Sequence, residues 1–324
     1  MNRVFVTFDY ELFLGSHTGS VERSILAPTR RLIELANAKA VRFTFFVDVG
    51  FLVALKKAMH LFERLASEYS QIASQLQDLK GQGHSIQLHV HPQWEDAQFR
   101  DGAWIADVSR YRLQQFSQGE IERIVASYKA ALVEIVGEGV YAFRAGGSCL
   151  QPFGPLRAAL KANGIWLDSS IYRDGYMNTP THQFDYRSMP DLPDWRFEED
   201  PLVVEPNGYF KEVPISPMRY SRFFYLKMAA HRLLGTQRHR MMGDGRAVGS
   251  GRSEIMRQML LGGNGVASLD SFRASCLVPA YKAMIKRGLD NHFVILGHPK
   301  ALAESSLQHL GRLCDAYGPQ FAVL

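Results

Sequence analysis

The sequence has few cysteines and no long apolar run. Its three cysteines, Cys149, Cys276 and Cys314, are scattered over 324 residues, and no two of them form a Cys-x-x-Cys pair. Such a set argues against a disulfide framework and against a structural thiolate site. No window holds ~18 uninterrupted apolar residues, so we expect no membrane-spanning helix. The apolar N-terminus is interrupted by Asp9 and Glu11 and has no cleavage site, which predicts a cytoplasmic protein.

Nucleotide-binding motifs are also missing. The glycine-rich stretch GDGRAVGSG (243–251) does not form a Walker or dinucleotide fingerprint between a strand and a helix, so we expect no nucleotide cofactor. The formal net charge is +5, which is modest for this length, and no nucleic-acid-binding module is recognisable. We therefore expect no nucleic-acid partner. With 46% hydrophobic residues, the chain can bury a substantial core.

Apolar runs of strand length alternate with segments of helical period. The pattern predicts strands at 4–8, 41–50, 85–91, 140–144, 164–170, 292–298 and 320–324. It predicts helices at 26–40, 51–80, 117–137, 154–164, 270–288 and 303–317. Ser117 stands three residues before Glu120, which is the spacing of a capping box. This alternation predicts an α/β fold with a mostly parallel sheet, open or closed into a barrel.

Polar side chains recur where the predicted strands end. In folds of this class the chemistry lies at the carboxyl ends of the strands. Residues two apart in a strand point to one face, so His89 and His91 can share a metal ion. Each polar group also has an ordinary interpretation, as a helix cap, a surface residue or a turn residue. Their recurrence nevertheless predicts one shared metal site built from Asp9, Glu11, His89, His91, Arg144, Asp168 and His298.

Six motifs resemble, in order and spacing, the polysaccharide deacetylase family, also called the NodB-homology or carbohydrate esterase 4 group. They are VTFDYE, TFFV, GHSIQLHVHP, AFRAGG, LDSS and VILGHP. The resemblance implies a distorted (β/α) barrel that holds one divalent metal ion, most often Zn²⁺. It also implies hydrolysis of N-acetyl or O-acetyl groups on sugars. The match covers residues 1 to about 170 and resumes at about 290, which predicts a single domain over 1–324 with a divergent insertion at about 173–268.

The resemblance also assigns roles to single residues. By position, Asp9 matches the general base and Arg144 the residue that holds this base. Asp168 matches the acid that orients the last histidine, and His298 matches that histidine, the general acid. A backbone N–H after Arg144 would help to stabilise the developing oxyanion.

Two departures from the family pattern concern the metal ligands. The family usually has two adjacent aspartates after TF, whereas Tyr10 follows Asp9 here and the next carboxylate is Glu11. The family also separates its ligand histidines by three residues, whereas one residue separates His89 from His91. Because both pairs place two groups on one strand face, we interpret Glu11, His89 and His91 as the metal ligands. An exchange of roles between Asp9 and Glu11 remains open. His84 matches a family position that is not a ligand.

The expected substrate is an acetylated amino sugar, nucleotide-linked or lipid-linked, that is destined for a surface polysaccharide. Proposed substrate contacts are Trp94, Gly146 and Tyr172, and the aromatic residues Trp104, Tyr176 and Trp195 are further candidates for stacking on sugar rings. Two alternatives remain open. One is a non-catalytic carbohydrate-binding protein on the same barrel, and the other is an amidohydrolase or deformylase that acts on another C–N bond.

Residues 219–252 concentrate the positive charge of the chain. They carry eight Lys or Arg against one acidic residue, Asp244, a net charge of +7 that leaves −2 for the rest of the chain. One interpretation is an amphipathic helix packed on the barrel through one apolar side. The other is a lid or interfacial element that meets a phosphate-bearing substrate or an anionic membrane surface, which would make the protein membrane-peripheral. The predicted apolar side consists of Phe223, Leu226, Ala230 and Leu233.

Overall fold

Strands and helices alternate through the chain in a computed structural model, which describes residues 2–15, 17–246, 252–286 and 292–324. The strands are β1 (Arg3–Tyr10), β2 (Thr44–Asp48), β3 (Ser85–Val90), β4 (Gln98–Arg100), β5 (Ala103–Ile105), β6 (Ala142–Ala145), β7 (Leu167–Asp168), β8 (Tyr176–Asn178), β9 (Gln183–Asp185), β10 (Trp195–Phe197), β11 (Phe210–Glu212), β12 (Pro217–Tyr220), β13 (Gly263–Val266), β14 (His292–Gly297) and β15 (Phe321–Ala322). The helices are α1 (Ala27–Ala38), α2 (Val49–Ala58), α3 (Glu63–Gly81), α4 (Gln118–Val136), α5 (Gly154–Ala162), α6 (Arg222–Leu233), α7 (Arg252–Leu261), α8 (Leu277–Lys286) and α9 (Glu304–Tyr317).

The chain divides into two compact units. The first unit comprises residues 1–8, 12–41 and 215–322, and the second comprises residues 9–11, 42–214 and 323–324. In the first unit, β14 and β15 each pair in parallel with β1, while β12 and β13 pair antiparallel. In the second unit, parallel pairs give the order β2-β3-β6-β7-β11, and β10 adds antiparallel to β11. Helices form the crossovers of three parallel pairs: α2 and α3 lie between β2 and β3, α4 between β3 and β6, and α5 between β6 and β7. The crossover from β7 to β11, which the structure describes throughout, contains short strands and no helix.

The central strands of the second unit are buried on both faces. All five residues of β2 and all six of β3 are buried, as expected for parallel strands that helices cover on both sides. On α4, Ser117 caps the first turn and Glu120 accepts a hydrogen bond from the Ser117 N–H at 2.8 Å, so the predicted capping box is confirmed. Because these strands are parallel, their carboxyl ends lie at one edge of the sheet.

The observed elements differ from the predicted ones in length. The predicted helix 51–80 is two helices, because the backbone is extended at Phe62, immediately before α3. The predicted strand 164–170 has only the two residues of β7, and just beyond its end the Asp168 side chain accepts a hydrogen bond from the Ser170 N–H at 2.9 Å. The predicted helix 270–288 begins as a 3₁₀-helix over Ser271–Cys276 and continues as α8, and its predicted end at 288 lies outside the described residues.

The predicted insertion at 173–268 contributes to both units. Residues 173–214 belong to the second unit and residues 215–268 to the first. Within it, α6 departs from the prediction that its apolar side packs on the barrel. Phe223, Leu226 and Leu233 are exposed, whereas Phe224 and Tyr225 are buried. The packed-helix interpretation is therefore wrong for this side of α6. In the part of the chain that the structure describes, no helix combines the length and hydrophobicity that a bilayer-spanning helix requires.

Candidate active site

The ends of β1 and β3 bring two carboxylates and two imidazoles together within the second unit. Asp9 lies on β1 and Glu11 just beyond its end, while His89 lies on β3 and His91 just beyond its end. Alternation along the strand turns Tyr10 away from these groups, and its hydroxyl donates to Gln75 Oε1 at 2.9 Å. All four site residues are buried.

Glu11, His89 and His91 present ligand atoms that lie within 4.8 Å of one another. Glu11 Oε2 is 2.7 Å from His91 Nε2 and 3.4 Å from His89 Nε2. His89 Nδ1 is 2.8 Å from the carbonyl oxygen of Arg144, which can only accept, so Nδ1 donates and Nε2 faces the carboxylate. Histidines that bind metals usually donate their second ring nitrogen in this way. These three residues could hold a metal ion.

The electrostatics of this cluster suit a cation. Burial lowers the pKa of His89, but the carboxylates of Asp9 and Glu11 more than offset this effect and raise the pKa to about 9. The cluster therefore favours a positive charge beside its two carboxylates. A divalent ion bound to neutral imidazoles would supply that charge in place of a proton, so the donor set fits the metal ion that the resemblance implies.

Arg144 holds Asp9 beside the three ligands. Its Nη1 donates to Asp9 Oδ1 at 2.7 Å, its Nε donates to the Ser169 carbonyl at 2.7 Å, and its guanidinium lies 4.1 Å from the centre of the Phe46 ring. A buried guanidinium requires such partners. The other oxygen, Asp9 Oδ2, is 3.9 Å from His89 Nε2. Glu11 is thus closer to the imidazoles than Asp9 is, which favours Glu11 over Asp9 as the third ligand.

A third carboxylate, Asp48, lies beside the two histidines, and the sequence analysis did not include it in the site. It ends β2 directly opposite His89 in the register of β2 and β3. Burial raises the pKa of Asp48 to about 6, although His91 and His89 oppose the rise. Trp94 donates its indole N–H to Asp48 Oδ2 at 2.7 Å and is 2% exposed. Trp94 therefore supports Asp48 instead of presenting an open face to a sugar. The sequence contains a signal for Asp48, because it is another polar residue at the end of an apolar strand.

Two glycines leave room for the His91 segment. A Cβ on Gly146 would lie 2.6 Å from the Val90 carbonyl oxygen and 2.7 Å from His91 Nδ1. A Cβ on Gly50 would lie 2.9 Å from the His91 carbonyl oxygen. Gly146 thus has a steric role, and its predicted substrate contact stays a prediction. The N–H of Ala145, the first after Arg144, donates to Ser170 Oγ at 2.8 Å, so it is already engaged.

Asp168 belongs to a buried carboxyl pair. Its oxygens accept hydrogen bonds from the Ser170 N–H at 2.9 Å and the Ser170 hydroxyl at 2.8 Å. Glu212 lies opposite Asp168 on β11. Burial and the neighbouring Asp168 raise the pKa of Glu212 well above its usual range, which favours the protonated form of Glu212. No sequence pattern indicated this pairing, because it arises from the register between two strands that are distant along the chain.

His298 lies in the first unit, next to the end of β14, and its partner is Asp270. His298 Nδ1 is 3.0 Å from Asp270 Oδ2, and the His298 backbone N–H donates to Asp270 Oδ1 at 3.0 Å. The predicted pairing of Asp168 with His298 is therefore wrong, because Asp270 fills that position. Asp270 also follows a short apolar run, so the strand-end rule could have found it. The general-acid role of His298 stays a prediction.

The remaining aromatic candidates for sugar contact differ in exposure. Tyr172 is half-buried and packs against Phe184 and Tyr186, with ring centroids 6.1 and 6.3 Å away. Its predicted sugar contact stays a prediction. The Tyr111 ring lies 5.6 Å from the ring of His91 and 4.5 Å from that of His182, so both residues adjoin the cluster, although sequence reasoning did not single them out. Among the remaining predicted stacking residues, Tyr176 is exposed, whereas Trp104 and Trp195 are buried.

Comparison with known proteins identifies the fold. Neither a protein-family model nor a curated protein matches the chain. Among solved structures, a protein assigned as a polysaccharide deacetylase from Mycobacterium smegmatis is similar, with a TM-score of 0.55 and 15% identity over 99% of this chain and 86% of that chain. A family 4 carbohydrate esterase from Streptomyces lividans matches with a TM-score of 0.42 and 11% identity, over 99% and 91%. A peptidoglycan N-acetylglucosamine deacetylase from Eubacterium rectale matches with a TM-score of 0.42 and 11% identity, over 99% and 87%.

The likeness to the mycobacterial protein extends over nearly the whole chain. The chain therefore has the mixed α/β fold of polysaccharide deacetylases. The fold that the sequence resemblance implied, the NodB-homology type, is confirmed. Because a fold alone does not determine an activity, the function is argued from the site.

Proposed function

We propose that this protein is a metal-dependent hydrolase that removes an acetyl group from a sugar. The proposal rests on one observation. The side chains of Glu11, His89 and His91 are buried and lie together, and beside them Arg144 holds the carboxylate of Asp9. Buried charged groups disfavour folding unless they are paired or bind a ligand. Their arrangement at the carboxyl ends of strands is typical of an active site in an α/β fold.

The donor set indicates the metal. Two imidazoles and one carboxylate suit Zn²⁺, and three protein ligands leave a fourth position open, as in catalytic zinc sites. When bound, a zinc ion supplies Lewis-acid chemistry and makes water nucleophilic at neutral pH. Glu11, His89 and His91 would hold the ion. In this assignment, Asp9 is not a ligand.

Asp9 is then positioned to serve as the general base. Arg144 holds one of its oxygens at 2.7 Å, which orients the carboxylate and leaves the other oxygen on the side of His89. Asp9 would accept the proton of the attacking water as the water oxygen bonds to the acetyl carbonyl carbon. As the C–N bond breaks, the leaving amine requires a proton. The resemblance gives that task to His298, whose ring is held by Asp270.

The proposed substrate is an N-acetylated amino sugar, with an O-acetyl sugar as the alternative, in a precursor of a surface polysaccharide. We further propose that the precursor is nucleotide-linked or lipid-linked and that the protein works in the cytoplasm or at a membrane surface. These details rest on the sequence resemblance and on the composition of the chain. Tyr111 and His182 lie beside His91 and could contact a sugar. The half-buried Tyr172 is a further candidate, which the sequence suggests.

The test measures metal content and acetate release on the purified chain. We expect about one zinc or similar ion per chain by mass spectrometry, and acetate from N-acetylglucosamine oligomers that ceases after chelation and returns with zinc. Glu11→Ala, His89→Ala and His91→Ala should each lose the metal. His84→Ala is the matched control. His84 is equally buried but accepts the Phe43 N–H at 3.0 Å outside the cluster, so this variant should keep the metal.

Other outcomes would change the assignment. A metal-loaded protein that binds sugar oligomers and releases no acetate would be a carbohydrate-binding protein. Release of acetate only from acetylated xylan would identify an O-acetyl esterase, and release of formate from formyl amides would identify a deformylase. A wild-type chain that takes up no divalent ion, tested with zinc, cobalt and manganese, would overturn the proposal.

A further inference from the structure

Helix α6 is anchored through one side and presents an apolar side to solvent. Ser221 caps the helix by accepting the Phe224 N–H at 3.2 Å. Phe224 and Tyr225 are buried, and the Phe224 ring packs 4.6 Å from the ring of Tyr220. The opposite side contains residues 223, 226, 230 and 233, whose spacing of three and four places them on one helix face. Amphipathic helices usually bury this face, and here it is open.

The exposure of this face is large for apolar side chains. Phe223 is 59% exposed, Leu226 48% and Leu233 89%, and the adjoining Leu234 is 79% exposed. Helix α7 packs against α6 in the same unit and adds three more exposed side chains. These are Met256 at 63%, Leu260 at 64% and Leu261 at 72%. Concentrations of exposed apolar side chains of this kind mark interaction surfaces. We call the outward side of α6 together with these α7 residues the α6–α7 surface.

Basic residues flank the apolar face of α6. At 100° per residue, Arg222 and Lys227 lie at its two edges. Neither forms an ion pair with any described residue, and the same is true of the other exposed arginines of this segment. Those arginines are Arg219, Arg232, Arg238, Arg240 and Arg246. The positive charge of the segment is thus on the surface and is not neutralised by neighbouring carboxylates in the described part of the chain.

We propose that the α6–α7 surface binds the interface of an anionic lipid bilayer. An apolar stripe with cations along its edges is the pattern of helices that lie in the plane of a membrane. The apolar side chains enter the acyl boundary while Arg and Lys reach the phosphate groups, and each basic residue strengthens the attraction. A nucleic acid would use the cations but not the leucines. This surface lies apart in sequence from Glu11, His89 and His91, and the inference does not depend on the proposed activity.

The experiment is flotation of the full-length protein with vesicles. We expect binding to vesicles of phosphatidylcholine with phosphatidylglycerol, weak binding to pure phosphatidylcholine, and a decline as salt is raised. The variant Leu226→Gln/Leu233→Gln/Leu234→Gln should partition at least about tenfold more weakly, and so should Arg222→Gln/Lys227→Gln/Arg232→Gln. The matched control is Leu61→Gln, because Leu61 is 78% exposed but lies between α2 and α3, and this variant should bind like the wild type.

Sedimentation and circular dichroism complete the test. All variants should keep the wild-type spectrum, since the changed side chains are exposed. The proposal would be overturned if the wild type did not bind anionic vesicles, or if it bound both vesicle types equally. It would also be overturned if either triple variant bound as strongly as the wild type. A wild-type dimer that the leucine variant converts to monomer, without vesicle binding, would instead assign the surface to a second copy of the chain.

Discussion

The cluster in the second unit and the α6–α7 surface in the first unit depart from ordinary burial in opposite directions. The cluster buries Asp9, Glu11, His89, His91 and Arg144. The surface exposes large apolar side chains that a core would normally include. Both arrangements give up folding stability that a conventional distribution would provide, because buried charges need compensation and exposed leucines contribute no burial.

The two regions differ in where their partners lie. In the cluster, polar groups meet inside the fold at 2.7 Å, as Arg144 Nη1 does with Asp9 Oδ1 and His91 Nε2 with Glu11 Oε2. Such contacts position the groups before any substrate arrives. On the α6–α7 surface, the apolar side chains have solvent as their neighbour and the flanking cations have no ion-pair partner among the described residues. The comparison teaches that the polar groups of the cluster find their partners inside the fold, while the side chains of the surface are left open to a partner outside the chain.

The largest expected effect concerns the division of roles within the cluster. Asp9→Asn should keep the metal and lower the rate of acetate release by ~10²–10⁴-fold, because an amide cannot accept the proton that a general base removes. Metal content and the rate of acetate release, measured on the same preparation, check this. If Asp9→Asn loses the metal while Glu11→Ala retains it, then Asp9 is the ligand and the two carboxylates have exchanged roles.

A smaller effect, on metal affinity, is expected when the close packing of Gly146 against His91 is disturbed. Gly146→Ala would place a Cβ 2.7 Å from His91 Nδ1, so His91 or the Val90 carbonyl must move. We expect metal affinity to fall by ~10–100-fold, as for other changes that disturb a ligand's orientation. Competition with a coloured chelator measures the affinity. Gly154→Ala is the matched control, because its Cβ would meet nothing within 4 Å, and an equal loss in that variant would remove the steric argument.

The smallest expected effect is on the free energy of unfolding when a residue of the α6–α7 surface is changed. Leu233→Gln should change the free energy of unfolding by less than ~0.5 kcal/mol, since a residue that is 89% exposed contributes almost no burial. Leu132→Ala, in the buried side of α4, should cost ~2–5 kcal/mol. Denaturant unfolding of both variants provides the comparison. A loss above ~2 kcal/mol for Leu233→Gln would mean that this leucine is packed in solution, and would remove the contrast between the two regions.

Sequence reasoning found the cluster because its residues obey local rules. Residues two apart on a strand share a face, and the pairs Asp9 with Glu11 and His89 with His91 each follow that rule. Trp94 was misassigned for the opposite reason. Its neighbours Asp48 and Trp104 come from separate elements, so its contacts depend on how these elements pack. Aromatic residues near a site can equally stack on a ligand or support a catalytic group, and composition does not distinguish the two.

The sequence by itself determined the alternation of strands and helices, the strand ends that carry the polar groups, and the local excess of positive charge. These properties depend on periodicity and on residue type, which are local. Only the tertiary structure decided that Asp270, and not Asp168, holds His298, and that Glu212 stands opposite the buried Asp168. It also decided that the apolar side of α6 faces outward. Each of these outcomes depends on which distant elements become neighbours, and helical or strand periodicity describes a face without saying what will cover it.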